Sequence, residues 1–177
     1  LDRLNRQPYR IIVEGMDGSG KSTLIQQLEK DFPALEVVHR PVGRTFDDWW
    51  PAEMDRSHLR PIPLHDRFFY SELVYGPVLR GKISANMELV NNVAWFLRST
   101  ALLIYTRPHS STISDRIMVK FQMDGVLDHF TELLEAYDTT MMGERTWYGD
   151  RFCHYDWNTY EAYSLLLKQV RGYLSGV

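Results

Sequence analysis

The chain has 177 residues, 44% of them apolar and 24% charged, with 20 basic against 23 acidic side chains and a net charge of -3. That length suits one domain with a real core, and the charge balance argues against a broad polyanion-binding surface or a stable nucleic-acid complex while allowing a local basic site. A single cysteine, Cys153, excludes an internal disulfide and a multi-cysteine zinc site, and the longest apolar run, Ala101–Tyr105, is strand-length, well short of the roughly 18 residues of a membrane span.

The first residues, 1–10, are charged and do not read as a signal peptide, so the expectation is one cytoplasmic, globular domain over residues 1–177. Arg10–Glu14 is a short β-branched run ending at Gly15 and reads as a buried strand. Leu24, Ile25, Leu28 and Phe32 then fall at helical spacing, closed by Pro33. A second strand spans Glu36 to His39, and a third, Ile62–Asp66, is weaker because Pro61 and Pro63 lack ladder donors. Phe69–Leu79 and Met87–Leu97 carry helical patterns, and Ala101–Tyr105 is the fourth strand. A helical stretch from about Ser114 to Ala136 breaks near Gly125, Thr139–Gly149 reads as a polar and aromatic loop, and Phe152–Tyr155 is the last strand. Tyr163, Leu166, Leu167, Val170 and Leu174 then line one face of a final helix. Alternation of strand and helix implies a parallel sheet covered on both faces, with ligands bound at the carboxyl ends of its strands. Chemistry is therefore expected just after each strand, at Gly15, Arg40, Asp66, Thr106 and Asp156.

Gly15-Met16-Asp17-Gly18-Ser19-Gly20-Lys21-Ser22 fits G-x-x-x-x-G-K-S/T in full, between a strand and a helix. Glycines let the backbone curl so that successive N–H groups point at phosphate oxygens, and the positive end of the following helix adds to the attraction. The nucleotide-binding set is Gly15, Gly18, Ser19, Gly20, Lys21, Ser22 and Thr23. Lys21 supplies a mobile charge for the β- and γ-phosphates of ATP, and the Ser22 hydroxyl suits Mg²⁺. Asp17 is the odd member, because a carboxylate repels phosphates. It serves a sugar hydroxyl of a second substrate, a nearby arginine such as Arg67, or the turn itself.

Residues 14–23, Glu-Gly-Met-Asp-Gly-Ser-Gly-Lys-Ser-Thr, resemble the E-G-x-D-G-x-G-K-S/T-T loop of thymidylate kinases. Asp66-Arg67-Phe68-Phe69-Tyr70-Ser71-Glu72-Leu73-Val74-Tyr75-Gly76 is similar to that family's D-R-Y-x-x-S-x-x-A-Y-Q-G, with Asp66, Arg67, Ser71 and Tyr75 in register. A third similarity joins Asp115-Arg116 to Leu133-Leu134-Glu135-Ala136-Tyr137, and the resemblance runs diffusely from about Arg10 to Leu174. It implies a P-loop kinase fold: a parallel five-stranded sheet of order 2-3-1-4-5, helices on both faces, and a lid over about residues 107–126. It implies that Asp17 binds a deoxyribose 3′-hydroxyl, that Asp66 helps hold Mg²⁺ through water, and that Arg67 clamps the acceptor phosphate with its planar fork. The loop carries no arginine, so the resemblance assigns neutralisation of the transferring group to the lid, where Arg116 and Lys120 share a helix face; Arg107 is a further candidate that could equally pair with Asp115.

The pattern breaks where the acceptor base is read. His39-Arg40-Pro41-Val42-Gly43-Arg44-Thr45 keeps the family's arginine as Arg40 but lacks its glutamate, and only about twenty residues separate Gly43 from Asp66. Phe46-Asp47-Asp48-Trp49-Trp50-Pro51 stands there instead; Trp49 or Trp50 either stacks on a base or anchors the loop in the core. Thymine specificity is not carried over. The resemblance also places adenine near Asp156-Trp157-Asn158-Thr159, where Trp157 would neighbour the ring while Asn158 caps a helix. The six histidines show no metal spacing, and Cys153 reads as a structural thiol. The expected activity is transfer of the γ-phosphoryl of ATP, with Mg²⁺, to a deoxynucleoside 5′-monophosphate such as dTMP, Lys21, Arg67, Asp66 and Arg116 serving catalysis and Asp17, Arg40, Arg67 and Trp49 the acceptor. The alternatives are a deoxynucleoside kinase, a polynucleotide 5′-kinase, and an ATP-binding switch without kinase activity. Thymidylate kinases are commonly homodimers, although no motif here reports an interface.

Overall fold

A computed structural model describes residues 10–39, 45–56, 61–119 and 125–176. Strand β1 (Arg10–Glu14) leads into helix α1 (Lys21–Asp31), followed by β2 (Leu35–His39), α2 (Phe46–Arg56), β3 (Ile62–Asp66), α3 (Phe69–Arg80) and α4 (Met87–Thr100). Then come β4 (Ala101–Thr106), α5 (Ser110–Val119), α6 (Phe130–Tyr148), a short 3-10 turn over Gly149–Arg151, β5 (Phe152–Tyr155) and α7 (Ala162–Ser175). The five strands form one parallel sheet in the order β2-β3-β1-β4-β5, as expected from the resemblance.

Alternation along β1 divides the core into two layers. Ile11 and Val13 face α1 and α7 with Leu24, Leu28, Leu166 and Val170, whereas Ile12 faces the larger layer supplied by α2, α3, α4, α5 and α6. Fully buried strands of this kind read as continuous β-branched and aliphatic runs, which is why β1 and β4 were legible. Arg10 also points into the larger layer, where burial lowers its pKa and its guanidinium lies over the rings of Trp50 (5.1 Å) and Phe96 (5.8 Å).

Three local expectations change. β3 occupies a central position despite its prolines, because its pairing with β1 begins only at Leu64, one residue beyond Pro63. The segment Thr139–Gly149 is helix through Tyr148 rather than loop: Leu133, Leu134, Tyr137, Met141, Glu144 and Tyr148 fall at three- and four-residue spacing on the buried face of α6, while its outer face carries the polar residues that disguised it. The stretch containing Trp49 is helix α2, and the Trp49 indole, 5% exposed, meets Phe46, Trp50, His65 and Phe68 edge-on or tilted at 5.3–6.4 Å. Trp49 and Trp50 therefore anchor α2 in the core, where such aromatic pairs add about 0.5–1.5 kcal/mol each beyond the area they bury.

Candidate active site

The carboxyl ends of the strands meet on one rim of the sheet, where the loop Gly15–Gly20 curls between β1 and α1. Gly20 caps α1 in the left-handed region (φ 95°), and a Cβ there would stand 2.8 Å from the Trp157 indole nitrogen. Only glycine meets both demands. Lys21 opens the helix; the residue is 7% exposed, and its ammonium donates to the Met16 carbonyl at 2.8 Å. Burial, and then the Arg67 guanidinium, pull its pKa down to about 7; an anion bound in the loop would push it back up. Ser22 and Thr23 follow on exposed positions of α1.

Glu14, the last residue of β1, is fully buried beneath the loop. Its Oε1 accepts from the backbone N–H of Phe68 (2.6 Å) and of Ser71 (3.3 Å), and its Oε2 from the Ser71 hydroxyl (2.8 Å). Phe68 is the N-cap of α3 and has no side-chain oxygen to offer the first-turn N–H groups. Glu14 does the capping from another strand. Burial raises its pKa, with Arg67 opposing. In the sequence Glu14 is one letter of the loop motif, with nothing local to mark this role.

Between β3 and α3, Arg67 adopts a left-handed backbone (φ 67°) that costs a non-glycine residue roughly 1–2 kcal/mol. Contacts all round it offset that cost. Its backbone N–H donates to the Val13 carbonyl at 3.0 Å, and its Nη1 reaches the Gly15 carbonyl, the Ser71 hydroxyl and the Tyr137 hydroxyl at 3.1, 3.1 and 2.8 Å. Its Nη2 forms an ion pair with the Asp17 carboxylate. Tyr75 completes the group: its hydroxyl donates to Asp17 Oδ2 at 3.0 Å and accepts from the Asp17 N–H at 3.2 Å. Burial opposes ionisation of Asp17, but Arg67 and Lys21 outweigh it and hold the carboxyl below its ordinary range. The pairing of Asp17 with Arg67 is one of the alternatives open from the sequence; Tyr137, reaching in from α6, stands there only as the end of the third similarity, with no role attached.

Asp66 ends β3 beside the end of β2, with Oδ2 3.3 Å from Nδ1 of the exposed His39. Ser22 and Asp66 would each offer Mg²⁺ an oxygen, the donor type it takes; among the described residues no group of three or more His, Cys, Asp or Glu could hold a metal ion. Arg40 and Lys120, along with part of the expected lid, lie outside the described residues.

On the other side of the loop, a cleft of about 230 Å³ is lined by Gly20, Thr23, Leu24, Gln27, Arg116, Tyr155 and Trp157. The Arg116 guanidinium lies 4.1 Å from the Trp157 ring centroid, and the Trp157 indole N–H donates to the Ser19 carbonyl at 2.9 Å. Arg116 is thus beside the loop, on the indole. Arg107 pairs with Asp138, not with Asp115: two bonds of 2.8 Å join them, and the Tyr105 hydroxyl donates to the same carboxylate at 2.7 Å. Asn158 does not cap α7, whose N-cap is Glu161; its side chain donates instead to Thr112 at 3.2 Å. Cys153 is buried, and burial pushes its thiol up to about 12, as a structural thiol requires.

The fold and its phosphate loop define the class of P-loop kinase folds. No family model matches the sequence, and no curated protein matches it. Solved structures do match. The YorR protein of Bacillus subtilis, in complex with phosphorylated GDP, superposes with a TM-score of 0.68 at 18% identity over 90% of this chain and 92% of its own. Deoxyadenosine kinase from M. mycoides with bound dATP gives 0.61 at 16% identity over 92% and 99%. Polyphosphate kinase 2 from Arthrobacter aurescens TC1 gives 0.59 at 14% identity, over 93% of this chain and 68% of its own. At these identities the likeness is one of fold. No helix among the described residues is long and apolar enough to cross a membrane.

Proposed function

We propose that the protein transfers the γ-phosphoryl of ATP to the 5′-phosphate of a deoxynucleoside monophosphate. The observation that carries this reading is the Arg67 guanidinium, set by four acceptors at the mouth of a complete phosphate loop, next to Lys21 and Asp17. The loop N–H groups, the N-terminus of α1 and Lys21 would hold the donor phosphates. Ser22, with Asp66 through water, would hold Mg²⁺, which supplies positive charge to the β- and γ-phosphates. Arg67 would grip the acceptor phosphate, and Asp17, exchanging part of its bond to Arg67, would accept from a sugar hydroxyl. Arg116 would leave Trp157 to reach the transferring group, and Trp157 would neighbour the donor base. The acceptor phosphate is itself the nucleophile, so the γ-phosphorus–oxygen bond breaks as the new one forms without a general base.

A deoxynucleoside acceptor is the second reading. Asp17 already neutralises Arg67, and the Asp66 carboxylate, at the end of β3, stands beside the end of β2, which together suit a neutral hydroxyl acceptor. ATP consumption against deoxynucleosides, their 5′-monophosphates and a 5′-hydroxyl oligonucleotide separates these readings. Stimulation by monophosphates alone supports the first and by nucleosides alone the second. Turnover unchanged by any acceptor leaves an ATP-binding switch.

A further inference from the structure

We infer that Thr106, at the carboxyl end of β4, is a positioning residue for the donor nucleotide, acting through the Ser19 hydroxyl. This rests on the reading of Gly15–Ser22 as the nucleotide loop. Thr106 and Ser19 are both fully buried, and their hydroxyl oxygens lie 2.7 Å apart. Thr106 Oγ1 is also 2.9 Å from the Glu14 carbonyl. A carbonyl can only accept, so the single Thr106 proton goes there, and Ser19 must be the donor in the bond between the two hydroxyls. The Ser19 proton is therefore spent on β4 and is withheld from phosphate; Ser19 would serve the nucleotide through its backbone.

The same residue is gripped a second time. Its carbonyl accepts the Trp157 indole N–H at 2.9 Å. One hydroxyl from the end of β4 and one indole from beyond β5 thus fix the orientation of the Ser19 peptide at the middle of the loop. The packing leaves no slack: a Cβ on Gly15 would lie 2.5 Å from the Thr106 carbonyl oxygen and 2.8 Å from the Ser19 hydroxyl. Thr106 thereby sets the direction in which the loop N–H groups point, although it belongs to no phosphate-binding motif. A preorganised donor array is worth more than one that must be ordered as the ligand binds.

The test is a double-mutant cycle read by calorimetric titration of ATP with Mg²⁺ into the intact protein. Thr106→Val keeps the shape and removes the hydroxyl, and should weaken ATP binding about tenfold or more, because a buried donor and a buried acceptor both lose a partner. Thr106→Ser should restore the affinity to within about twofold of the wild type. Adding Ser19→Ala to Thr106→Val should cost nothing further, and in turnover KM for ATP should rise while KM for the acceptor stays unchanged. Additive losses in the cycle, a Thr106→Ser protein as weak as Thr106→Val, or equal rises in both KM values would overturn the inference. If the wild type itself binds no ATP, the nucleotide-loop reading fails; if the wild type binds and Thr106→Val binds equally well, only the positioning role fails.

Discussion

Replacing Glu14 tests whether the site is built on a capping interaction supplied across the sheet. Glu14→Ala removes the acceptor for two N–H groups at the start of α3, those of the N-cap Phe68 and of Ser71 in the first turn, and for the Ser71 hydroxyl. Each buried donor left without a partner costs about 1–3 kcal/mol. Ser71 can turn toward Tyr137, 2.9 Å away, so two backbone groups carry the penalty. Loss of the buried carboxylate is offset by relief of its own desolvation, the force that raises its pKa. The net expectation is a loss of about 3–4 kcal/mol. Glu14→Gln keeps one acceptor oxygen and should lose about half as much. Urea denaturation followed by circular dichroism gives both numbers, provided the slope with denaturant stays that of the wild type. Because α3 carries Ser71 and Tyr75 into contact with Arg67 and Asp17, phosphoryl transfer should fall with stability. A Glu14→Ala protein within 1 kcal/mol of the wild type would refute the capping argument, since two buried N–H groups cannot lose their partner at so small a cost.

Lys21→Ala should bring ATP turnover to background without lowering the melting temperature, since the buried ammonium it removes is already disfavoured in the folded chain. Arg67→Ala should weaken a monophosphate acceptor roughly ten- to a hundredfold, the worth of a charged hydrogen bond, and a nucleoside far less; equal losses in KM would remove the assigned role. Gly20→Ala forces a side chain into φ 95° and against the Trp157 indole, so it should cost about 2–3 kcal/mol in denaturation. Asp138 has its carboxyl held below the ordinary value, where bonds from Arg107 and Tyr105 outweigh burial. Its stabilising contribution is therefore present above the ordinary aspartate pKa and is lost as pH falls through the depressed one. Asp138→Asn should flatten the acid limb of a plot of melting temperature against pH, and an unchanged limb would count against the pairing.

What could be read from the chain, and what could not, follows from the range of the interactions. β1, the loop and α1 are specified by neighbours: a β-branched run, glycines at fixed offsets, and apolar residues at helical spacing. The outer polar face of α6 hid its buried stripe until Tyr137, Met141 and Glu144 were seen to share one side. Pairings were harder still. Arg107 has an acid eight residues away in Asp115, and proximity in sequence suggested the wrong partner; the strand end aims its guanidinium at α6 instead. Glu14 was visible as a motif letter, but its work depends on α3 starting where its own residues offer no cap. Trp49 illustrates the converse, because an aromatic near a base-reading segment and an aromatic anchoring a helix look alike until the neighbours at 5–6 Å are known.

The contacts that hold Arg67 also bear on how the molecule is made. Arg67 reaches 50 residues back to Asp17 and 70 forward to Tyr137, and Tyr137 lies 3.5 Å from the Glu14 carboxylate across 123 residues of chain. Interactions of such span form slowly, because each closes a long loop before any bond rewards it. Apart from Ser71, four residues on, the side-chain partners of Arg67 are all distant in sequence, and its left-handed backbone must wait for them. Nucleotide handling should therefore emerge as the last event of refolding, after helical signal has returned. A fragment ending before α6 would retain the complete phosphate loop in sequence while lacking the partner that holds the acceptor side in place.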